Sequence, residues 1–143
     1  MVGAISLVQG CSASRLDEFD RAAVSGTVTL DGKPLSEGVI NFIPQADTQG
    51  PKTSVVITQG KFEVDNRHGP LIGQHRVEIR STDDGGFALD DESSIDRLKA
   101  SRKRKIEVVV IPTIYNDRSK LSEEVSESDS NQYQFKLLSR PKR

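Results

Sequence analysis

Residues Val24–Pro44 read V-S-G-T-V-T-L-D-G-K-P-L-S-E-G-V-I-N-F-I-P, and this stretch decides the fold class of the chain. Its first seven residues alternate, with valine and leucine on one side and hydroxyl-bearing residues on the other. A period of two indicates a half-buried β-strand. Asp31-Gly32 follows at once and supplies residues that accept the positive φ angles of a tight turn. We therefore predict a strand, a turn and a second strand over Val39–Ile43.

Five further segments carry strand patterns, with turn signals between them. They are Thr53–Thr58, Lys61–Asp65, Gln74–Arg80, Ile106–Ile111 and Gln132–Leu138. The last is the clearest alternation and points Tyr133, Phe135 and Leu137 to one face, which we expect to be the core. Seven short strands separated by turns predict an all-β, seven-stranded β-sandwich.

Two polar stretches interrupt the strand pattern. Asp83–Lys105 has an acidic first part and a basic second part, and we expect it to be a mobile polar insertion. Asn116–Asn131 is predicted as a polar loop anchored by Leu121 and Val125. These two loops are therefore the segments in which we expect a recognition surface.

Composition bounds the functions that the chain can have. Its length of 143 residues predicts one domain. The charge is balanced, with 20 Lys+Arg against 21 Asp+Glu, so no overall electrostatic attraction to nucleic acid is expected. The absence of Trp disfavours a base-stacking platform. A single cysteine forms no internal disulfide, and no apolar run reaches the ~18 residues of a transmembrane helix. We expect a monomer without a cofactor.

The N-terminal segment resembles a bacterial lipobox. In Val8-Gln9-Gly10-Cys11, glycine fits the position before the cysteine, although Gln9 departs from the usual small residue. This resemblance implies that residues 1–22 hold a truncated signal and a polar tether, with Cys11 as the lipidation site. The alternative is an ordinary frayed N-terminus with an incidental cysteine. Residues 23–138 would then form the sandwich, and residues 139–143 a basic tail.

The opening stretch also resembles carboxypeptidase regulatory-like domains, which are transthyretin-like (prealbumin-like) β-sandwiches. Gln59-Gly60-Lys61-Phe62, Gly73-Gln74-His75-Arg76-Val77 and Ile111-Pro112-Thr113-Ile114-Tyr115-Asn116 carry further matches. The likeness covers Ala23–Leu138. This combination of motifs is especially similar to small secreted or lipid-anchored proteins of planctomycete bacteria. His75 departs from it, because a tyrosine commonly stands there.

The resemblance implies a Greek-key sandwich of the transthyretin-like or Ig-like kind. In that family, catalysis belongs to a separate domain. We therefore expect a non-catalytic module of a periplasmic or surface-exposed (lipo)protein, with an envelope glycan or protein as partner. The membrane would be reached only through the lipid anchor.

Two other functions remain open. His68 and His75 could bind a metal together with Asp65 or Glu63 and the acidic loop, as a metal-binding domain or a small metal-dependent enzyme. The basic run Arg97–Lys105 could instead serve an intracellular interaction domain. Nothing in the spacing of these residues dictates a metal site, and the sequence assigns no catalytic residue.

Overall fold

The computed structural model describes residues 19–83, 108–128 and 131–142. The strands are β1 (Val24–Leu30), β2 (Lys33–Pro34), β3 (Glu37–Pro44), β4 (Thr53–Thr58), β5 (Lys61–Val64), β6 (Gly73–Ser81), β7 (Leu121–Val125) and β8 (Gln132–Leu137). Thr113–Tyr115 forms a short 3-10 turn between β6 and β7. The prediction of an all-β, sandwich-like fold is confirmed, although the described residues form eight strands in place of the seven predicted. No helix in the described part of the chain is long and apolar enough to cross a bilayer.

Strand β1 has hydrogen-bonded neighbours along both of its edges. On one edge β8 runs parallel to it, from the pair Ser25–Gln132 to the pair Leu30–Leu137. On the other edge β5 and β2 follow one another, both antiparallel to β1. We call these four strands the first half-sheet. Its central strand is β1, which therefore has no free edge.

Strands β4, β3, β6 and β7 form the second half-sheet, in that order and antiparallel throughout. The Gln59-Gly60 turn joins it to the first half-sheet, and Thr58–Lys61 is the only residue pair between β4 and β5. Both turn residues have positive φ angles, 50° and 76°. The result is one continuous sheet that curls so that its two halves face each other.

The core lies between the two half-sheets. Phe42 on β3 is its central ring, with ring centroids 6.3 Å from Phe62 on β5 and 6.1 Å from Tyr133 on β8. Three inward side chains of β6 are completely buried: His75, Val77 and Ile79. Burying each large apolar side chain contributes roughly 1.5–3 kcal/mol, so the packing of these facing strands stabilises the fold.

The opening stretch folds differently from the predicted hairpin. β1 turns at Asp31-Gly32, whose φ angles are 52° and 81°, and pairs with the two-residue strand β2. Leu35 is buried, and β3 then begins in the second half-sheet, where its partners are β4 and β6. The predicted strand over Val39–Ile43 is present, but it faces β1 across the core and does not pair with it.

The strand predicted over Ile106–Ile111 is wrong for residues 108–111, which have irregular backbone; residues 106 and 107 lie outside the described ranges. This apolar run is a crossing segment whose inward side chains, Val109 and Ile111, pack against the core without a ladder partner. The Tyr115 hydroxyl, just beyond it, accepts the N–H of Leu138 at 3.2 Å. Hydrophobicity therefore indicated burial correctly for Val109 and Ile111, whereas Val108 and Val110 are exposed, and it predicted strand pairing wrongly.

Strand β7 lies inside the stretch predicted as a polar loop. Its sequence Leu-Ser-Glu-Glu-Val alternates, with Leu121, Glu123 and Val125 facing inward and Val125 almost completely buried. Pairing with β6 supplies the backbone partners that make this polar segment a strand. The two residues predicted as anchors, Leu121 and Val125, are indeed its inward side chains.

Gly26 provides a test of the β1–β8 pairing. A Cβ atom at Gly26 would overlap the backbone carbonyl oxygen of Tyr133 and lie 2.6 Å from the Phe62 ring. We predict that Gly26→Ala lowers the free energy of unfolding by about 3 kcal/mol, measured by urea denaturation, because β8 must move away.

Gly32→Ala is the matched control, because a Cβ there meets no atom within 4 Å and only the left-handed backbone at φ +81° opposes it. Its expected cost is about 1 kcal/mol. Equal destabilisation by the two substitutions would contradict the close approach of β8 to β1.

Candidate functional site

The outer face of the first half-sheet forms an open trough with a volume of about 620 Å³. Two rows of three outward residues cross it. Ser25 of β1 lies between Glu63 of β5 and Gln132 of β8, and Thr27 lies in the same way between Lys61 and Gln134. Short hydroxyl side chains therefore form the floor over β1, and longer side chains form the walls. We call these six residues the polar trough.

Sheet geometry sets the dimensions of the polar trough. Adjacent strands are about 4.8 Å apart, so the Cα atoms of its two walls are about 10 Å apart. Successive rows are two residues apart along β1, which is about 6.7 Å. The trough runs parallel to β1 and has the shape of a shallow channel, suited to an extended chain.

The side chains of the polar trough are not paired with other described side chains, in contrast to those on the opposite outer face. None of its six side chains makes a hydrogen bond or ion pair with the described residues. On the second half-sheet, Glu78 lies 2.8 Å from Arg76 and 3.7 Å from Arg80, and Arg80 also pairs with Asp117. One outer face is thus internally paired, and the other presents free donors and acceptors.

A second group of polar residues lies at one margin of the core. The His75 ring is completely buried and stands edge-on to Phe42, with ring centroids 6.2 Å apart. Its Nδ1 donates to the carbonyl oxygen of Gly73 at 3.0 Å, because that oxygen can only accept. Nε2 is buried without a partner in the described structure. On β7, Glu123 is the residue directly opposite His75.

Burial governs the ionisation of this group. It lowers the pKa of His75, which the hydrogen bond to Gly73 only partly opposes, and it raises the pKa of Glu123. Burial, together with the Glu123 and Glu124 carboxylates, raises the pKa of Tyr133 to about 12. The Tyr133 hydroxyl donates to the Glu124 carbonyl oxygen at 2.8 Å. All three pKa values are displaced toward the uncharged form of each side chain.

The histidines proposed as metal ligands occupy different surroundings. His68 is exposed on the β5–β6 loop, where its Nδ1 lies 2.9 Å from the Asp65 carboxylate. Hydrogen bonds from His68 lower the pKa of that carboxyl. His75, in contrast, points into the core. Among residues 19–83, 108–128 and 131–142, no three His, Cys, Asp or Glu side chains come together as a metal site would require.

The other residues singled out in the sequence lie mostly outside the described ranges. Cys11, the acidic residues after Asp83 and the basic run Arg97–Lys105 are among them. Asp83 itself is described, and its carboxylate accepts a hydrogen bond from the Ser36 hydroxyl. The polar trough was not predicted as a site, because its outward residues become neighbours only through the register of β1, β5 and β8.

The chain enters the sandwich at a well-connected point. The N–H of Ala22 donates to the Pro70 carbonyl oxygen at 3.0 Å, and Arg21 donates to the Gly69 carbonyl oxygen at 2.9 Å. The N–H of Ile72 donates to the Asp20 carbonyl oxygen at 2.9 Å. We call this the entry end; it also holds the β3–β4, β5–β6 and β7–β8 loops. The Asp31-Gly32 and Gln59-Gly60 turns, together with Asp83, lie at the opposite end.

Comparisons with models of known protein families, with curated proteins and with solved structures find no match to this chain.

Acidification tests the buried state of His75. Its pKa is lowered in the folded protein, so the unfolded chain takes up a proton first, at the ordinary histidine value of 6.5. We predict that neutral His75 makes its whole contribution to the free energy of unfolding above pH 6.5. As the pH drops below that value, the free energy of unfolding decreases, by at most about 1.4 kcal/mol per pH unit.

His75→Phe keeps an aromatic ring beside Phe42 and removes the titrating group. Chemical denaturation from pH 7 to pH 5 should therefore show a smaller loss of stability for this variant than for the unsubstituted chain. Glu123 lies directly opposite His75 and has a raised pKa, so the comparison is made with Glu123→Gln in both chains. Identical pH slopes in the two chains would show that His75 is not held in its neutral form.

Proposed function

We propose that this chain is a non-catalytic β-sandwich module of a bacterial cell-envelope protein, held at the membrane through a lipid on Cys11. The lipobox-like Val8-Gln9-Gly10-Cys11 supports the anchor, and the likeness to carboxypeptidase regulatory-like domains supports the class of module. Its role is to bind or space an envelope component in the periplasm or at the cell surface.

The observation that carries this proposal is the fixed entry of the chain into the sandwich. Backbone hydrogen bonds from Ala22 and Ile72 tie residues 20–22 to the β5–β6 loop, directly before the central strand β1. A Cβ atom at Gly69 would overlap the Ala22 carbonyl oxygen, so the two segments are in close contact. A tether that reaches this point is thus connected to the best-paired strand of the fold.

This connection also limits the distance of the module from the membrane. Nine peptide units separate Cys11 from Asp20, and they span about 30 Å at most when fully extended. A lipid on Cys11 would therefore keep the entry end within about 30 Å of the bilayer surface.

Isolation of the native protein from the cells that make it tests the anchor. We predict a membrane-bound form whose first residue is Cys11 carrying acyl chains, identified by mass spectrometry of the N-terminus. Cys11 is the only cysteine of the chain, so the modified residue is assigned without ambiguity. Two acyl chains hold a protein stably at a bilayer, because each buried CH₂ contributes ~0.8 kcal/mol.

Cys11→Ser should move the protein from the membrane fraction to the soluble fraction. Ser12→Ala is the matched control, since it changes the neighbouring residue and leaves the acceptor sulfur in place. A native protein that keeps Met1 and an unmodified Cys11 would overturn the anchoring proposal. So would equal membrane association of the Cys11→Ser variant.

A further inference from the structure

The six side chains of the polar trough line one open channel and make no hydrogen bond or ion pair with other described residues. We propose that the trough binds an extended, neutral, hydroxyl-rich chain, such as a segment of an uncharged glycan. This proposal deepens the proposed function, because it names the ligand class of the module. It does not depend on the lipid anchor, since the trough is formed by β1, β5 and β8 alone.

The chemistry of the trough walls selects this class of ligand. Gln132 and Gln134 each offer an amide that both donates and accepts hydrogen bonds, and Ser25 and Thr27 offer hydroxyls that do the same. Lys61 and Glu63 add one charge of each sign, so the six residues of the trough have no net charge; Lys136, the next outward residue of β8, lies beyond them opposite Thr29. The complementary ligand carries many neutral groups that donate and accept, and hydroxyl groups have this property.

Charge and polarity disfavour the other ligand classes. A polyanion gains from Lys61 but is repelled by Glu63, and a polycation meets the reverse. An apolar ligand would strip water from six polar side chains without replacing their hydrogen bonds, which is costly for each group. The aromatic rings nearest the trough, Phe62 and Tyr133, face the core, so recognition here depends on hydrogen bonds in place of ring stacking.

The shape of the trough agrees with its chemistry. Its floor is flat over β1, because Ser25 and Thr27 have the shortest side chains of their rows. Its walls lie on the two neighbouring strands, about 10 Å apart between Cα atoms, which admits one chain lying along β1. Two rows about 6.7 Å apart repeat the same pattern of a long side chain, a hydroxyl and an amide. A polymer with regularly repeated hydroxyl groups can contact both rows in the same way.

The proposal is tested by titrating the isotope-labelled full chain with three linear neutral oligosaccharides: cellohexaose, chitohexaose and maltohexaose. We expect at least one to produce saturable shifts in the amide resonances of Ser25, Thr27 and Gln134. The resonances of Asn41 and Arg76, on the opposite half-sheet, should remain unchanged. The affinity should change little with salt, because no net charge is neutralised on binding.

Two trough variants and one control locate the site. Gln132→Ala combined with Gln134→Ala removes both wall amides and should weaken binding about tenfold or more. Thr27→Val removes a floor hydroxyl while keeping a β-branched side chain, and it should also weaken binding without unfolding the strand. Gln74→Ala, on the opposite outer face, should bind as the unsubstituted chain does.

Three results would overturn the proposal. The first is the absence of saturable shifts with all three oligosaccharides at millimolar concentration. The second is binding that the trough variants leave unchanged. The third is tighter binding, at the same resonances, of an extended Ser/Asn-rich peptide or of hexagalacturonate, which would assign the trough to a peptide or a polyanion. Membrane fractionation of Cys11→Ser is a separate measurement, so a failure of the ligand proposal can be distinguished from a failure of the lipid-anchor proposal.

Discussion

The parallel pairing of β8 with β1 is the interaction on which the rest of the structure depends. It joins Ser25 to Gln132 and Leu30 to Leu137, close to the two ends of the described chain. With β5 and β2 on the opposite edge, β1 becomes a strand without a free edge. The aromatic side chains of β8 are thereby placed over Phe62 and Phe42. Such a distant pairing closes a long loop, so we expect it to form late in folding.

The same pairing creates both the core and the candidate site. Inward residues of β8 fill the space under β1, and its outward residues, Gln132 and Gln134, form one wall of the polar trough. A shift of β8 by one residue would exchange these two sets, so a single register serves stability and binding. The second half-sheet has a different outer face, on which Glu78 is enclosed by Arg76 and Arg80.

The alternation of residues in the sequence predicted most of the strands and their inward faces. In the strand predicted over Gln74–Arg80, the alternating residues His75, Val77 and Ile79 share one face, and all three are buried in the structure. Partners were not predictable, because period two shows which side chains face inward but not which strand lies beside them. The segment 108–111 was mistaken for a strand because it is apolar, and β7 was missed because its exposed residues are polar.

The candidate site was less predictable than the fold, for a related reason. Outward positions of β1, β5 and β8 could be read from the sequence as polar, but their alignment into rows depends on two strand registers. His75 could be assigned to the inward face, whereas the burial of its Nε2 without a partner among the described residues depends on the Gly73 carbonyl oxygen that holds Nδ1 and on the Phe42 ring beside it. The sequence thus assigns single residues to a face of a strand. Which residues of different strands become neighbours can be known only when the pairing and register of the strands are known.

Native-state amide hydrogen exchange tests the central claim most directly. The N–H of Ser25 donates to the Asn131 carbonyl oxygen and that of Asp31 to the Leu137 carbonyl oxygen, toward β8, while the N–H of Val28 donates to the Gly60 carbonyl oxygen on the opposite edge. If β1 is paired on both edges, the β1 amides facing β8 and those facing β5 exchange equally slowly, with the free energy of global unfolding. Slow exchange at Val28 with rapid exchange at Thr27 and Thr29, which face β8, would contradict the account.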